Sequence, residues 1–332
     1  MTGKTTGRQY NAVIIGLGKM GQGFDYDRSD DAVIATHASA YIRHPGFELV
    51  AAVDHDPLQR KRFEVKFHRP AYPDLTSLMA LHSPEVFSIA TPVESHLPVF
   101  LDIMQHAATA IICEKPIAVT AQDGHRMWSL AEDRQCPLVV NYMRRFEPGS
   151  MEVRRMVRTK ELGNVFKGSA WYSKGLLNNG SHFIDLLRFW LGDVTGVEVM
   201  NEGRRWEDID PEPDLCLYFH ETPVYMLAGR EESFSIGKIE LFCSGGIISY
   251  ADFGNLIEIR RTCPSPLFEG YTILRPDREI VNTDLKRYQL HVLEGLYKHL
   301  TTGAELNSDG RSATETLEVI DRARGQLYKG VQ

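Results

Sequence analysis

Short apolar runs separated by turn residues organise the first part of the chain. Residues 10–15, 47–53, 86–90, 110–113 and 138–140 carry such runs, among them Val13, Ile14 and Ile15, and Leu49 through Val53. Runs of this length bounded by turn signals predict buried strands. Segments 32–43, 58–67, 76–82, 96–107 and 121–134 between them have helical spacing. Strand and helix alternating over short connections predict a parallel α/β sheet that closes near Asn141.

Beyond that point the pattern changes. A helix is expected over 153–160, then strands over 165–172, 197–200, 215–219, 224–229, 238–243, 246–250 and 256–260, separated by polar turns. Such a density of strands predicts a largely antiparallel sheet. Residues 181–191 interrupt it with Phe183, Ile184, Leu186, Leu187, Phe189 and Trp190, the apolar side of a helix packed on that sheet. Terminal helices are expected over 285–300 and 313–324, the second capped by Ser312. The fold class is therefore α/β. A doubly wound parallel sheet occupies residues 1–141, and an α/β domain with an open, largely antiparallel sheet occupies 142–332, its terminal helices packing back on the first domain.

A chain of 332 residues is long enough for two such domains. Its formal charge of −7 argues against a nucleic-acid partner, because binding to phosphate backbones comes from clustered Lys and Arg. Cys113, Cys136, Cys216, Cys243 and Cys263 are scattered and never in a CxxC spacing, which suggests neither a disulfide framework nor a zinc site. Reduced thiols in a cytoplasm fit. Residues 1–9 lack the apolar core of a signal peptide, and no run approaches the length of a bilayer, so a soluble protein with no membrane partner is expected.

Candidate chemistry gathers at the ends of the strands. The first run leads into Gly16, Leu17, Gly18, Lys19, Met20 and Gly21, the GxGxxG spacing. There a tight turn, a close backbone approach to pyrophosphate and close packing on the sheet each call for glycine. A glycine-rich hairpin is the alternative. The second run ends in Asp54, an acid able to accept both ribose hydroxyls. It follows Gly21 by 33 positions, against the usual gap of about 20. The excess includes residues 24–31 with Asp25, Asp27, Asp30 and Asp31, either a loop beside the cofactor site or a surface excursion. The fourth run ends in Glu114, Lys115 and Pro116. A lysine desolvated at the carboxyl edge of a parallel sheet gives up its proton more readily and can move protons, whereas one in a surface turn forms only a solvated ion pair.

Together with Thr91, Pro92 and His96, and with Tyr142, Arg145, Phe146 and Pro148, these residues make the chain resemble the Gfo/Idh/MocA family of oxidoreductases over nearly its whole length. The resemblance continues through Leu177, Asn178, Gly180, His182 and Asp185. It implies a Rossmann domain that binds NAD, with NADP disfavoured by Asp54, followed by a second domain whose open sheet often mediates homodimers or homotetramers. It also implies hydride transfer to or from a carbon of a sugar, nucleotide sugar or cyclitol, with Lys115 and His182 handling the alcohol proton. Asp54, Thr91, Pro92, His96, Glu114 and Lys115 then join the glycine turn around the cofactor, and Tyr142, Arg145, Asn178 and Asp185 face substrate. Asn178 departs from the family pattern, standing where many members have a carboxylate, and an amide takes up no proton at working pH.

Each residue also has a plainer reading. His182 can cap its helix, Asp185 can make a structural hydrogen bond, His96 can pack, and Arg145 can be solvated. Two other functions also fit: a hydrolase or isomerase that oxidises transiently with bound NAD, and a non-catalytic NAD-binding regulator. No metal is implied.

Overall fold

The computed structural model describes residues 7–28, 30 and 32–327. Residues 1–6, part of the polar N-terminal stretch, and Asp31 of the acidic segment lie outside the described residues. The chain divides into two compact units, one of residues 1–146 and 286–314, the other of residues 147–285 and 315–332.

The first unit holds β1 (Tyr10–Ile15), α1 (His37–Arg43), β2 (Phe47–Val53), α2 (Pro57–Phe67), β3 (Ala71–Tyr72), α3 (Leu75–Met79), β4 (Val86–Ile89), α4 (His96–Ile103), β5 (Ala110–Cys113), α5 (Ala121–Asp133) and β6 (Leu138–Val140). Its six strands run parallel in the order β3-β2-β1-β4-β5-β6. Every residue of β4 and β5 is buried, as their continuous apolar runs require. Strand order reverses between β1 and β4, and in open α/β sheets the crevice beyond the strand ends at that point is where ligands bind.

Capping residues set where the helices begin. Segment 32–43 has helical spacing throughout, yet α1 starts only at His37, because the Thr36 hydroxyl accepts the Ser39 amide and Thr36 itself is extended. Asp56 caps α2 through the Leu58 amide at 2.8 Å, with Pro57 in the first turn.

The second unit contains α6 (Pro148–Arg158), β7 (Val165–Tyr172), α7 (Ser181–Leu191), β8 (Gly196–Trp206), β9 (Asp210–Phe219), β10 (Thr222–Ala228), β11 (Gly237–Cys243), β12 (Gly246–Ala251), β13 (Leu256–Pro264), β14 (Thr272–Leu274) and β15 (Glu279–Val281). The sheet order is β14-β13-β12-β11-β7-β10-β9-β8, with β15 beside β13. All its pairings are antiparallel except β7 with β10. Phe183, Ile184, Leu186, Leu187 and Trp190 of α7 share one core with Ile239, Leu241, Ile248 and Tyr250 of the sheet.

Two helices complete the chain. α8 (Tyr288–Thr302) belongs to the first unit, where Val292, Leu293 and Leu296 pack with Tyr41 and Phe47. α9 (Gly310–Leu327) begins one turn earlier than its apolar spacing indicates. Its cap is Asp309, whose carboxylate accepts the Ser312 amide at 2.7 Å, while the Ser312 hydroxyl accepts the Asp309 amide at 3.1 Å. The expected Ser312 cap is therefore the returning half of a reciprocal pair. Among the described residues, no helix is long and apolar enough to cross a membrane.

Candidate active site

In the first unit a cavity of about 800 Å³ opens at the carboxyl ends of β1, β2 and β4. Gly16, Gly18, Asp54, Thr91 and Pro92 line it together with Asp56, Asp74, Glu94 and Asp102. Gly16 has φ +97°, and a β-carbon there would lie 2.7 Å from the Ala90 carbonyl. One at Gly21 would strike the Gly16 carbonyl oxygen at 2.1 Å. These two glycines are thus required by the turn itself. At Gly18 a β-carbon would meet nothing within 4 Å among the described residues, so the fold leaves space there.

That space fits a dinucleotide. An exposed backbone at Gly18 lets a pyrophosphate approach, the Asp54 carboxylate stands at the cavity wall, and the buried Thr91 hydroxyl oxygen has no hydrogen-bond partner among the described residues. Asp54 also has structural work. Its Oδ2 accepts the Leu17 amide at 2.6 Å and its Oδ1 the Asp56 amide at 2.8 Å. Arg60, in α2, donates to the Asp54 and His55 carbonyls of the connection that precedes it at 2.8 and 3.0 Å.

The remaining residues expected around the cofactor do not line this cavity. The Leu17 side chain is in the core, Lys19 is exposed and Met20 half-buried at the start of a π-helical turn over Lys19–Gly23. His96 is buried and spans two strand ends, its Nε2 2.9 Å from the Thr91 carbonyl and its Nδ1 3.0 Å from that of Pro116. It ties the cavity wall to the turn that follows Lys115.

Lys115 is half-buried directly after β5, and the Lys115–Pro116 peptide is cis. Beside it, Glu114 turns into a buried ring of side chains. Glu114 Oε1 accepts His37 Nε2 at 2.9 Å and Asn141 Nδ2 at 2.6 Å. Asn141 Nδ2 also donates to Gln289 Oε1 at 2.9 Å, and Gln289 Nε2 donates to His37 Nδ1 at 3.1 Å. Burial alone would raise the Glu114 carboxyl. The hydrogen bonds from His37 and Asn141 and the charges around it, Lys115 included, outweigh that and hold it below the ordinary carboxylate range.

His37, Asn141 and Gln289 were not legible as site residues. His37 reaches the ring because the acidic segment builds the start of α1. Asp25 is buried and accepts the amides of Ala35 and Thr36 and the hydroxyls of Thr36 and Ser39. Lys66 holds the same segment through the carbonyls of Asp25 and Tyr26. Tyr142 is buried after the ring, and Arg145 Nη1 donates to the Asn307 carbonyl at 3.1 Å.

The second unit carries Asn178, His182 and Asp185. A π-helical turn over Gly175–Gly180 leads into α7, and two acids of β9 hold it. Asp210 accepts the Leu177 and Asn178 amides at 3.0 and 2.9 Å, and Glu212 accepts the Gly175 amide at 3.1 Å. Burial raises the Asp210 carboxyl above its ordinary value, partly offset by those amides. Asn178 is half-buried and His182 buried. Asp185 accepts the Thr316 hydroxyl at 3.1 Å, and Arg188 donates to the same hydroxyl at 2.9 Å. Among the described residues, no group of His, Cys, Asp and Glu is placed to hold a metal.

A parallel sheet with a switch point, a glycine turn tied to an acid at the end of β2, and an open cradle at Gly18 define a dinucleotide-binding unit of the Rossmann class. Residues 10–142 match the model of the Gfo/Idh/MocA family, described as an oxidoreductase family with an NAD-binding Rossmann fold.

Sequence relatives agree. D-apiose dehydrogenase of Paraburkholderia graminis is 25% identical over 209 residues, covering 58% of this chain and 52% of that protein. Inositol 2-dehydrogenase of Corynebacterium glutamicum is 26% identical over 153 residues, covering 46% and 42%. The chain thus spans about half the length of the curated relatives it matches. The fold is shared more widely. The WlbA dehydrogenase of Bordetella pertussis, solved with NADH and UDP-GlcNAcA, superposes with a TM-score of 0.79 over 98% of this chain and 97% of that one at 17% identity.

Proposed function

We propose that the protein is a cytoplasmic NAD-dependent dehydrogenase or reductase acting on a carbinol carbon of a sugar, nucleotide sugar or cyclitol. The observation that carries this reading is Lys115, half-buried at the same carboxyl edge of the sheet as Gly16 and Thr91, with an ionised Glu114 fixed beside it.

The nicotinamide supplies a hydride acceptor or donor when bound. In oxidation Lys115 takes the hydroxyl proton as the carbonyl forms, and in reduction it returns that proton. His182 is the alternative proton carrier in this reading. Such positioned transfers contribute about 10² to 10⁴ in rate. Asn178 orients a substrate hydroxyl by fixed hydrogen bonds, and Tyr142, Arg145 and Asp185 shape the surroundings of the substrate. The acids around the cavity, Asp54, Asp56, Asp74, Glu94 and Asp102, support NAD over NADP, because a 2′-phosphate would enter a negative field.

The test is incubation of the purified protein with NAD and a panel of nucleotide sugars, free sugars and cyclitols, following the absorbance of the reduced nicotinamide. Net reduction is expected with at least one. Product without net reduction would replace this reading with transient oxidation, and NAD binding with neither would replace it with a regulator.

A further inference from the structure

The ring behind Lys115 has only one self-consistent set of donors. Its carboxylate accepts, so Asn141 must present its NH₂ group to Glu114, and the same nitrogen then needs an acceptor at Gln289. With its oxygen committed to Asn141, Gln289 presents its NH₂ group to His37 Nδ1, which leaves the imidazole proton on Nε2, directed at Glu114. Turning any one amide would set donor against donor or oxygen against carboxylate. All four residues are buried: His37, Asn141 and Gln289 are fully inaccessible and Glu114 is 7% exposed.

We propose that His37, Asn141 and Gln289 are positioning residues for the reaction, closing a directional ring that keeps the Glu114 carboxylate charged and fixed beside Lys115 and so sets the pH at which Lys115 exchanges its proton. The inference rests on the role given to Lys115 above. A fixed negative charge beside an amine favours its protonated form, so loss of that charge makes the amine give up its proton at lower pH. Besides His37, whose ring proton the network itself fixes on Nε2, the other titratable groups that feel Glu114 are Tyr288 at the start of α8 and the Cys113 thiol of β5, both raised first by burial and then by this charge. Neither ionises near neutral pH, which leaves Lys115 as the group whose proton the ring controls.

Three substitutions at one position separate the ring from packing. In His37→Gln the amide nitrogen falls near the position of Nε2 and keeps a donor on Glu114. In His37→Asn it falls near Nδ1 and loses that donor, as does His37→Leu. The readout is competitive acetylation of Lys115 by acetic anhydride across pH, measured by mass spectrometry of the peptide that carries it. This needs no substrate. The labelling midpoint should fall in His37→Asn and His37→Leu, where the carboxylate takes up a proton more readily, and stay in place in His37→Gln. If His37→Leu does not fold, the Asn and Gln variants still decide. An unmoved midpoint in His37→Asn, or equal shifts in Asn and Gln, overturns the proposal. A shift confined to His37→Asn and His37→Leu supports the ring even if no sugar or cyclitol is turned over, an outcome that would instead count against the dehydrogenase reading.

Discussion

The Asp54 carboxylate accepts the Leu17 amide at 2.6 Å, so the acid at the end of β2 also holds the glycine turn that follows β1. Replacing it therefore removes two things at once. Charge-assisted hydrogen bonds are worth roughly 1.5 to 3 kcal/mol each, so Asp54→Ala should weaken NAD about tenfold or more by calorimetric titration. The unmodified protein should bind NAD more tightly than NADP. Equal dissociation constants would overturn the assignment of Asp54 to the ribose, and Arg60 would then be the first residue to examine as a phosphate ligand.

Two glycines of one turn should behave in opposite ways. Gly16→Ala forces a β-carbon onto the Ala90 carbonyl from a left-handed backbone, and strain of that kind costs about 1 to 3 kcal/mol before any clash is counted. The β-carbon of Gly18→Ala meets no atom of the described residues within 4 Å. Thermal unfolding should show a lowered midpoint for the first and little change for the second. Titration with NADH should show binding weakened at least about tenfold for Gly18→Ala, since its methyl occupies the approach of the phosphates. Normal NADH binding by folded Gly18→Ala would remove the cradle from the site.

These contrasts also explain what the sequence could disclose. β1, β5 and α7 were legible because their signals are local: apolar runs of strand length, and helical spacing across Phe183, Leu186, Leu187 and Trp190. β3, β14 and β15 escaped because none of their residues is buried and two or three residues carry no periodicity, whereas the equally short β6 is an unbroken, buried apolar run. The glycine turn and Lys115 stood out by spacing and by their place after apolar runs. The ring did not, because Gln289 lies 252 positions from His37 and their contact depends on where α8 packs. The acidic segment was equally opaque. Its charges suggested either a loop beside the cofactor site or a surface excursion, yet Asp25 is buried and bound by four donors that the folded start of α1 supplies.

Acid should destabilise the first unit in two stages. His44 is lowered by burial, against the opposing pull of Glu294, and Glu114 is lowered by its ring and neighbouring charges despite burial. A group whose folded value is depressed contributes stability above its unfolded value and loses it as pH falls through the folded one. His44 should therefore begin to cost stability below its ordinary 6.5, and Glu114 below its ordinary 4.5. Denaturant midpoints measured from pH 8 to pH 3 should decline over both ranges. In His44→Leu the decline near pH 6 should disappear while the one below pH 4.5 remains.

The face of the second sheet away from its core is expected to be covered by another copy of the chain. Inward positions of β11 are buried while Lys238, Glu240 and Phe242 between them are half-exposed, and Trp171 of neighbouring β7 is 38% exposed. Antiparallel sheets tolerate one wet face, but an aromatic one favours association. Sedimentation at micromolar concentration should show a homodimer or homotetramer, and Trp171→Glu should shift it toward monomer. A particle of monomer mass at all concentrations would remove this expectation.

The Gly175–Gly180 turn allows a decisive test of the chemistry, because Asn178 sits on it and Asp210 grips its backbone. Asn178→Asp adds a carboxylate near one that burial already raises, and like charges in proximity raise each other further. If Asn178 only orients a substrate hydroxyl, the variant should keep turnover and gain a new ionisation in its pH–rate profile. Lys115→Met is the companion. With its proton acceptor gone, turnover should fall by about two to four orders of magnitude while NADH affinity changes little. His182→Ala should lose less, because an amine remains to take the proton. Near-normal turnover by Lys115→Met on a confirmed substrate would sink the mechanism, and a dead Asn178→Asp with an intact fold would show that the amide does more than orient.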